Sequence, residues 1–161
     1  MVGGTPAGDR ESVIRPPVGP MSLDFPGLVL RVPSSHIDMF GHCNHAHYLE
    51  YMEWARFAWA AHSGMPIPVM VKNGVGPAIL RVDIRYRREC LYDDELHVSV
   101  EPLSARRDIG RLRQTITRPR DNEIVCDGEL TFVMLDLVAR KATRLPESFL
   151  LQVAQREPGV E

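Results

Sequence analysis

Residues 45–62 hold the one long helical periodicity in this chain, and the periodic segments that follow it alternate like strands, apart from a short C-terminal piece. Tyr48, Tyr51, Met52, Ala55 and Trp59 recur at i, i+3, i+4, i+7 and i+11, one face of a helix. Asn44 supplies an N-cap, and Gly64 followed by Pro66 ends the pattern at about His62. Such a helix is about 30 Å long at 1.5 Å per residue. It must bury an apolar stripe, and the only large partner the rest of the chain offers is a sheet. Leu80, Val82, Ile84 and Tyr86 alternate with Arg81, Asp83, Arg85 and Arg87 over 78–88. Leu96, Val98 and Val100 alternate next, then Leu112, Gln114 and Ile116 within 109–118. Residues 123–138 are apolar without a break from Leu130 to Leu135, except Thr131, as in a strand buried on both faces. With Gly27–Val32 ahead of the helix, this predicts an α+β domain in which one long central helix is wrapped by a five-stranded antiparallel sheet. A short helix is expected over 146–155. The helix's other face, with Leu49 and Trp54 beside Glu50, Glu53 and Arg56, is only partly polar, and an uncovered sheet edge invites a second copy.

Composition narrows the function. The formal charge of −2 gives no electrostatic reason for a nucleic-acid partner. No apolar run approaches the roughly 20 residues that span a bilayer, so no membrane insertion is expected. Cys43, Cys90 and Cys126 are odd in number and share no short spacing, which fits a reducing cytoplasm and small buried side chains rather than disulfides. Residues 1–24, rich in Pro and Gly, read as a disordered lead-in to a single domain over 25–161.

The chemistry concentrates in SSHIDMFGHCNHAHYLEYMEWAR, residues 34–56. Asp38 sits on a turn that opens onto the N-terminus of the helix. The first turn of a helix offers unpaired N–H groups and partial positive charge. A carboxylate beside such donors is what acyl hydrolysis requires: a base or nucleophile, and an oxyanion site. Against this, Asp before Gly is also a common turn former. His42, His45 and His47 with Cys43 match no zinc spacing, so no metal and no cofactor is expected. His47 reads as a solvent-facing residue of the first helical turn.

Asp38, Gly41, His45, Tyr48, Tyr51, Glu53 and Arg56 resemble the D-x-x-G-x-x-x-[YH]-x-x-Y-x-x-[YFW]-x-E-x-[AR] pattern of the hotdog-fold acyl-CoA thioesterases, the group that includes 4-hydroxybenzoyl-CoA thioesterase and bacterial acyl-CoA relatives. Asp38, Gly41, His42 and Asn44 also resemble the D-x-x-G-H-x-N of acyl-carrier-protein thioesterases on the same fold. Two places depart: Ser34 stands where some relatives have tyrosine, and Phe40 where the carrier-protein enzymes have asparagine. The resemblance implies that Asp38 is nucleophile or base, that the His45 N–H polarises the thioester carbonyl, and that the His45 side chain, His42 and Asn44 assist. Gly41 would line the site, and Phe40, Tyr48 and Tyr51 an acyl pocket. Six arginines against one acid in 104–120 suit coenzyme A phosphates, with Arg106 and Arg107 in the presumed turn as the named contacts. The implied substrate is an acyl-CoA, and the implied assembly is a homodimer or a dimer of dimers with the site at the subunit boundary. Three other readings are an acyl-carrier-protein donor, a non-catalytic acyl-CoA-binding protein and a hydratase. The hydratase D-x-N-P-x-H signature is broken by Phe40 and Cys43.

Overall fold

A computed structural model describes residues 24–156; the lead-in read as disordered lies outside them, except for Asp24. Strand β1, Leu28–Arg31, is followed by a single 3-10 turn, Ser34–His36, and by helix α1, His45–His62, with the boundaries the periodicity predicts. A short helix α2, Ile67–Lys72, leads into strand β2, Val75–Tyr86. Strands β3, Glu95–Val98, β4, Glu101–Arg106, β5, Ile109–Arg118, β6, Glu123–Asp136, and β7, Lys141–Thr143, then precede helix α3, Glu147–Arg156.

All seven strands form one antiparallel sheet in the order β1-β3-β5-β6-β2, with β4 also on β5 and β7 also on β6. The count of five therefore grows to seven. β3 and β4 pair in succession with the same side of β5, with a break near Ser99 and Val100; β1 covers the other side of β3, and β4 carries a register shift between Pro102 and Ser104. Proline cannot donate to a ladder, so a strand containing it survives at an edge or beside a bulge. β7 is too short for a periodic signal.

The buried face of α1 presents Tyr48, Tyr51, Met52 and Ala55 to Leu96, Val98, Leu112, Ile116, Val125 and Leu130. Trp59, the fifth stripe residue, is half-buried and donates its Nε1–H to Gln152 of α3 at 3.1 Å. A buried polar link crosses this interface. Gln114, on the inner face of β5, is 1 % exposed; its Nε2 donates to the Met52 carbonyl at 2.9 Å, and its Oε1 accepts from Arg56 at 2.8 Å. A buried amide that satisfies a helix carbonyl and an arginine at once costs energy to remove, because both partners stay behind unpaired. Gln114→Leu should lose about 1–3 kcal/mol in urea unfolding although leucine is the more apolar residue.

The helix does not cover the whole sheet. β2 is an edge strand, and its apolar residues are largely exposed. A register shift between Ile79 and Arg81 takes Leu80 out of the alternation, so Ile79 joins Val82, Ile84 and Tyr86 on the inner face. Leu49, Trp54 and Phe57 on α1 are exposed as well.

Candidate active site

The segment between β1 and α1 folds as a tight hairpin. Ile37 and Cys43 form an antiparallel bridge, the Asp38 N–H donates to the His42 carbonyl at 3.0 Å, and the Gly41 N–H donates to the Asp38 carbonyl at 3.0 Å. Gly41 closes this turn at φ +84, a backbone region that costs other residues a Cβ clash. The limbs are pinned on both sides: the Cys43 N–H donates to the Cys90 carbonyl at 2.8 Å, and the Asn44 N–H to the His36 carbonyl at 2.9 Å. Cys90 itself lies in the loop between β2 and β3 rather than in a strand, and Cys126 lies in β6; both are fully buried. Burial pushes the Cys90 thiol up to about 11 and the Cys126 thiol to about 12, so neither is a thiolate at neutral pH.

This hairpin delivers Asp38 to the start of α1. The Asp38 Oδ1 accepts the Phe40 N–H at 2.9 Å, and its second oxygen has no partner among the described residues. The turn-forming role and a free carboxylate oxygen thus coexist in one side chain. Asn44 caps the helix through its Oδ1, which accepts the Ala46 N–H at 3.0 Å. The His45 N–H, the next donor in the first turn, makes no hydrogen bond among the described residues. The His45 carbonyl accepts the Tyr86 hydroxyl at 3.1 Å, which ties the end of β2 to the same place. Asn44→Ala should cost about 1 kcal/mol of stability in chemical denaturation, as loss of a cap does.

The other expected site residues divide. His42 and Phe40 stack beside Asp38, with ring centroids 6.2 Å apart. Phe40 is 77 % exposed at the hairpin tip and Met39 beside it is also exposed. Tyr48 and Tyr51 are buried core residues, not in the wall of the apolar cavity described below, and burial holds both phenols well above the usual tyrosine range. Arg106 and Arg107 are exposed on the β4–β5 turn, where Arg107 adopts φ +55. That turn lies at the far end of β5, about 30 Å from the Arg118 end at 3.3 Å per residue.

His47 is not a free surface residue. Its ring stacks on that of His36, with centroids 3.7 Å apart and planes 5° from parallel, and its Nδ1 lies 2.6 Å from Glu50. His36, Glu50 and His47 bring their possible ligand atoms within 4.8 Å of one another. An imidazole offers its lone pair in the ring plane, so two parallel rings send theirs side by side rather than toward one ion. No sequence pattern pointed to His36, because its partner is eleven residues away across a loop.

A separate apolar cavity of about 330 Å³ lies under the C-terminal half of α1, walled by Trp59, Met65, Ile79, Leu112, Leu130 and Phe132 among others. Arg56 and Glu53 are polar parts of its wall. From His45 to Arg56 the helix rises about 16 Å, so in one chain the carboxylate and the apolar cavity stand at opposite ends of α1. Among the described residues no helix is long and apolar enough to cross a membrane.

Residues 32–153 match the family model described as the thioesterase-like superfamily. The long-chain acyl-CoA thioesterase FadM of Escherichia coli K12 is 30 % identical over 116 residues, which cover 72 % of this chain and 87 % of that protein. Among solved structures, the probable thioesterase YbaW from Escherichia coli superposes with a TM-score of 0.68 at 26 % identity, over 81 % of this chain and 98 % of that one. A 1,4-dihydroxy-2-naphthoyl-CoA thioesterase from Synechocystis has the same fold, with a TM-score of 0.73 at 14 % identity over 82 % and 97 % of the two chains. So does a Staphylococcus aureus protein solved in complex with CoA, with a TM-score of 0.74 at 19 % identity over 84 % and 87 %. With the family match running from the end of β1 into α3, across the Asp38 hairpin, the whole of α1 and the sheet, the chain belongs to the thioesterase-like superfamily.

Proposed function

We propose that this chain hydrolyses acyl-CoA thioesters to free acid and CoA, with Asp38 as nucleophile or general base and the His45 N–H as oxyanion donor. The observation that carries this reading is the pairing, at one end of an 18-residue helix, of a carboxylate oxygen and a backbone N–H that both lack protein partners among the described residues. Charge that develops on the carbonyl oxygen would meet the N–H and the positive end of the helix. The carboxylate either attacks the carbonyl carbon and expels the CoA thiolate, leaving a mixed anhydride that water hydrolyses to the free acid and the regenerated carboxylate, or takes a proton from an attacking water, whose tetrahedral adduct then expels the CoA thiolate, with the proton returned to the thiol. Asn44 keeps the first turn formed, and His42 and the His45 side chain flank the thioester. The kinship with a long-chain acyl-CoA thioesterase supports the same donor here.

The separation of carboxylate and cavity is resolved by a second copy. If two chains pair along the exposed apolar edge of β2, with their α1 helices antiparallel, the N-terminus of one helix lies beside the other chain's cavity. The acyl chain then enters the partner's apolar cavity while its thioester sits at Asp38 and His45. The same two-fold brings the end of the sheet that carries Arg106 and Arg107 to the side of the partner's hairpin, where they are available for CoA phosphates. Phe40, exposed in one chain, gains a wall to pack against.

Thiol release from short, medium, long, benzoyl and hydroxybenzoyl CoA esters tests the reading. Release is expected from at least one ester, and the panel ranks the acyl preference. An absence of release from every ester, with acyl-CoA still bound in calorimetry, would instead indicate a binding protein.

A further inference from the structure

The Asp38 hairpin is joined to α1 by two imidazoles as well as by backbone. His36 closes the 3-10 turn that starts the hairpin, and its Nδ1 lies 2.8 Å from the Tyr51 hydroxyl on α1. Its ring lies flat on that of His47, one turn earlier in the same helix, while Glu50 holds the Nδ1 of His47. The same residue's carbonyl accepts the Asn44 N–H, so His36 governs both where the hairpin begins and where the helix starts. Besides His47, Glu50 and Tyr51, the ring of Trp54 faces His36 at 6.3 Å, and the Cys43 thiol lies 3.6 Å from the Tyr51 hydroxyl. Asp38 is two residues away along the chain.

We propose that the His36–His47 stack is the positioning element of the Asp38 turn, and that it holds the turn only while the pair carries at most one proton. The proposal rests on the reading of Asp38 as the reacting carboxylate. With at most one proton between them the rings carry no like-charge repulsion, and the Glu50 carboxylate, 2.6 Å from the His47 Nδ1, accepts an N–H from that ring. A neutral His36 keeps its bond to Tyr51, since imidazole and phenol can each donate or accept. A second proton puts two cations face to face at 3.7 Å with little water between them. The stack then opens, and the hairpin loses its side-chain hold on α1. Burial first, and the facing His47 ring second, keep His36 below the ordinary imidazole value of 6.5, with Glu50 pulling the other way. A depressed histidine favours the folded arrangement above 6.5 and withdraws that support as the pH falls toward its folded value.

The test is an NMR titration of the imidazole Cε1–H resonances in the full chain and in His47→Gln, with pH profiles of kcat and KM on one acyl-CoA that the wild type hydrolyses. Without the facing ring, the His36 midpoint should rise by at least half a pH unit. The acid limb of kcat should move to lower pH, because a proton on His36 alone no longer breaks a stack. The midpoint and the limb thus move in opposite directions, which loss of a merely structural contact would not produce. At pH 8, kcat should fall several-fold while KM stays within twofold. In the wild type, the amides of residues 37–43 should shift with the second histidine midpoint, and in His47→Gln they should not. Midpoint and limb both unmoved, or a limb that follows the His36 midpoint upward, overturns the proposal. Asp38→Asn separates the two readings: it disables the proposed chemistry but should leave both histidine midpoints and the amide shifts in place.

Discussion

Asp38→Asn should lower kcat for acyl-CoA hydrolysis by about 10²–10⁴, the range a positioned acid–base group contributes. The amide can still accept the Phe40 N–H through its Oδ1, so the turn that Asp38 forms at 2.9 Å is preserved. What disappears is the carboxylate charge and basicity on the oxygen that has no partner among the described residues. A far smaller loss would mean that Asp38 serves the turn alone, with catalysis led by His42 or His45. Thiol release and the melting temperature should be measured together. An unchanged melting temperature with collapsed turnover separates chemistry from folding.

Val82→Asp should break the assembly and the activity together. Val82 lies on the inner face of the β2 edge, 42 % exposed, between Ile79 and Tyr86 along the same strip. In the isolated chain a carboxylate there reaches water at little cost. Across a two-fold interface it would be buried without a partner, a penalty of several kcal/mol. Since 1.4 kcal/mol is tenfold in an equilibrium constant, dimer affinity should fall by about 10² or more. Analytical ultracentrifugation should show a folded monomer, and specific activity should recover as enzyme concentration rises. A variant that sediments as a monomer yet keeps full activity at every concentration would overturn the shared site, because each chain would then hold carboxylate and cavity in reach of one substrate.

The limits of α1, the Asn44 cap and the Asp38 turn were legible because each is governed by residues within a few positions of one another. A 3.6-residue period, a capping amide and a glycine at positive φ act through local backbone geometry. Strands β2, β5 and β6 were legible for the same reason: alternation is a local property of a half-buried strand. The alternation of β2 misled at one residue. The shift beside Leu80 is set by pairing with Thr131 and Phe132, some fifty residues away. The break between β3 and β4 likewise depends on what β5 can pair with.

The site was less legible than the fold. Tyr48 and Tyr51 carry the motif spacing, yet packing against Leu96 and Ile116 buries them in the core of a single chain. Arg106 and Arg107 read correctly as a charged turn, but only the direction of β5 shows that this turn lies at the opposite end of the sheet from Asp38. The apolar cavity is bounded by α1, α2, β2, β5, β6 and the start of α3, and no window of sequence contains it. His36 and His47 became a stacked pair because the hairpin doubles back onto the first turns of the helix. Local pattern specifies which residues form a helix, a turn or a strand, since those depend on neighbours in the chain. Which side chains meet, which face of the sheet stays bare and how far the carboxylate lies from the cavity depend on contacts between distant segments, and those exist only once the chain has closed on itself.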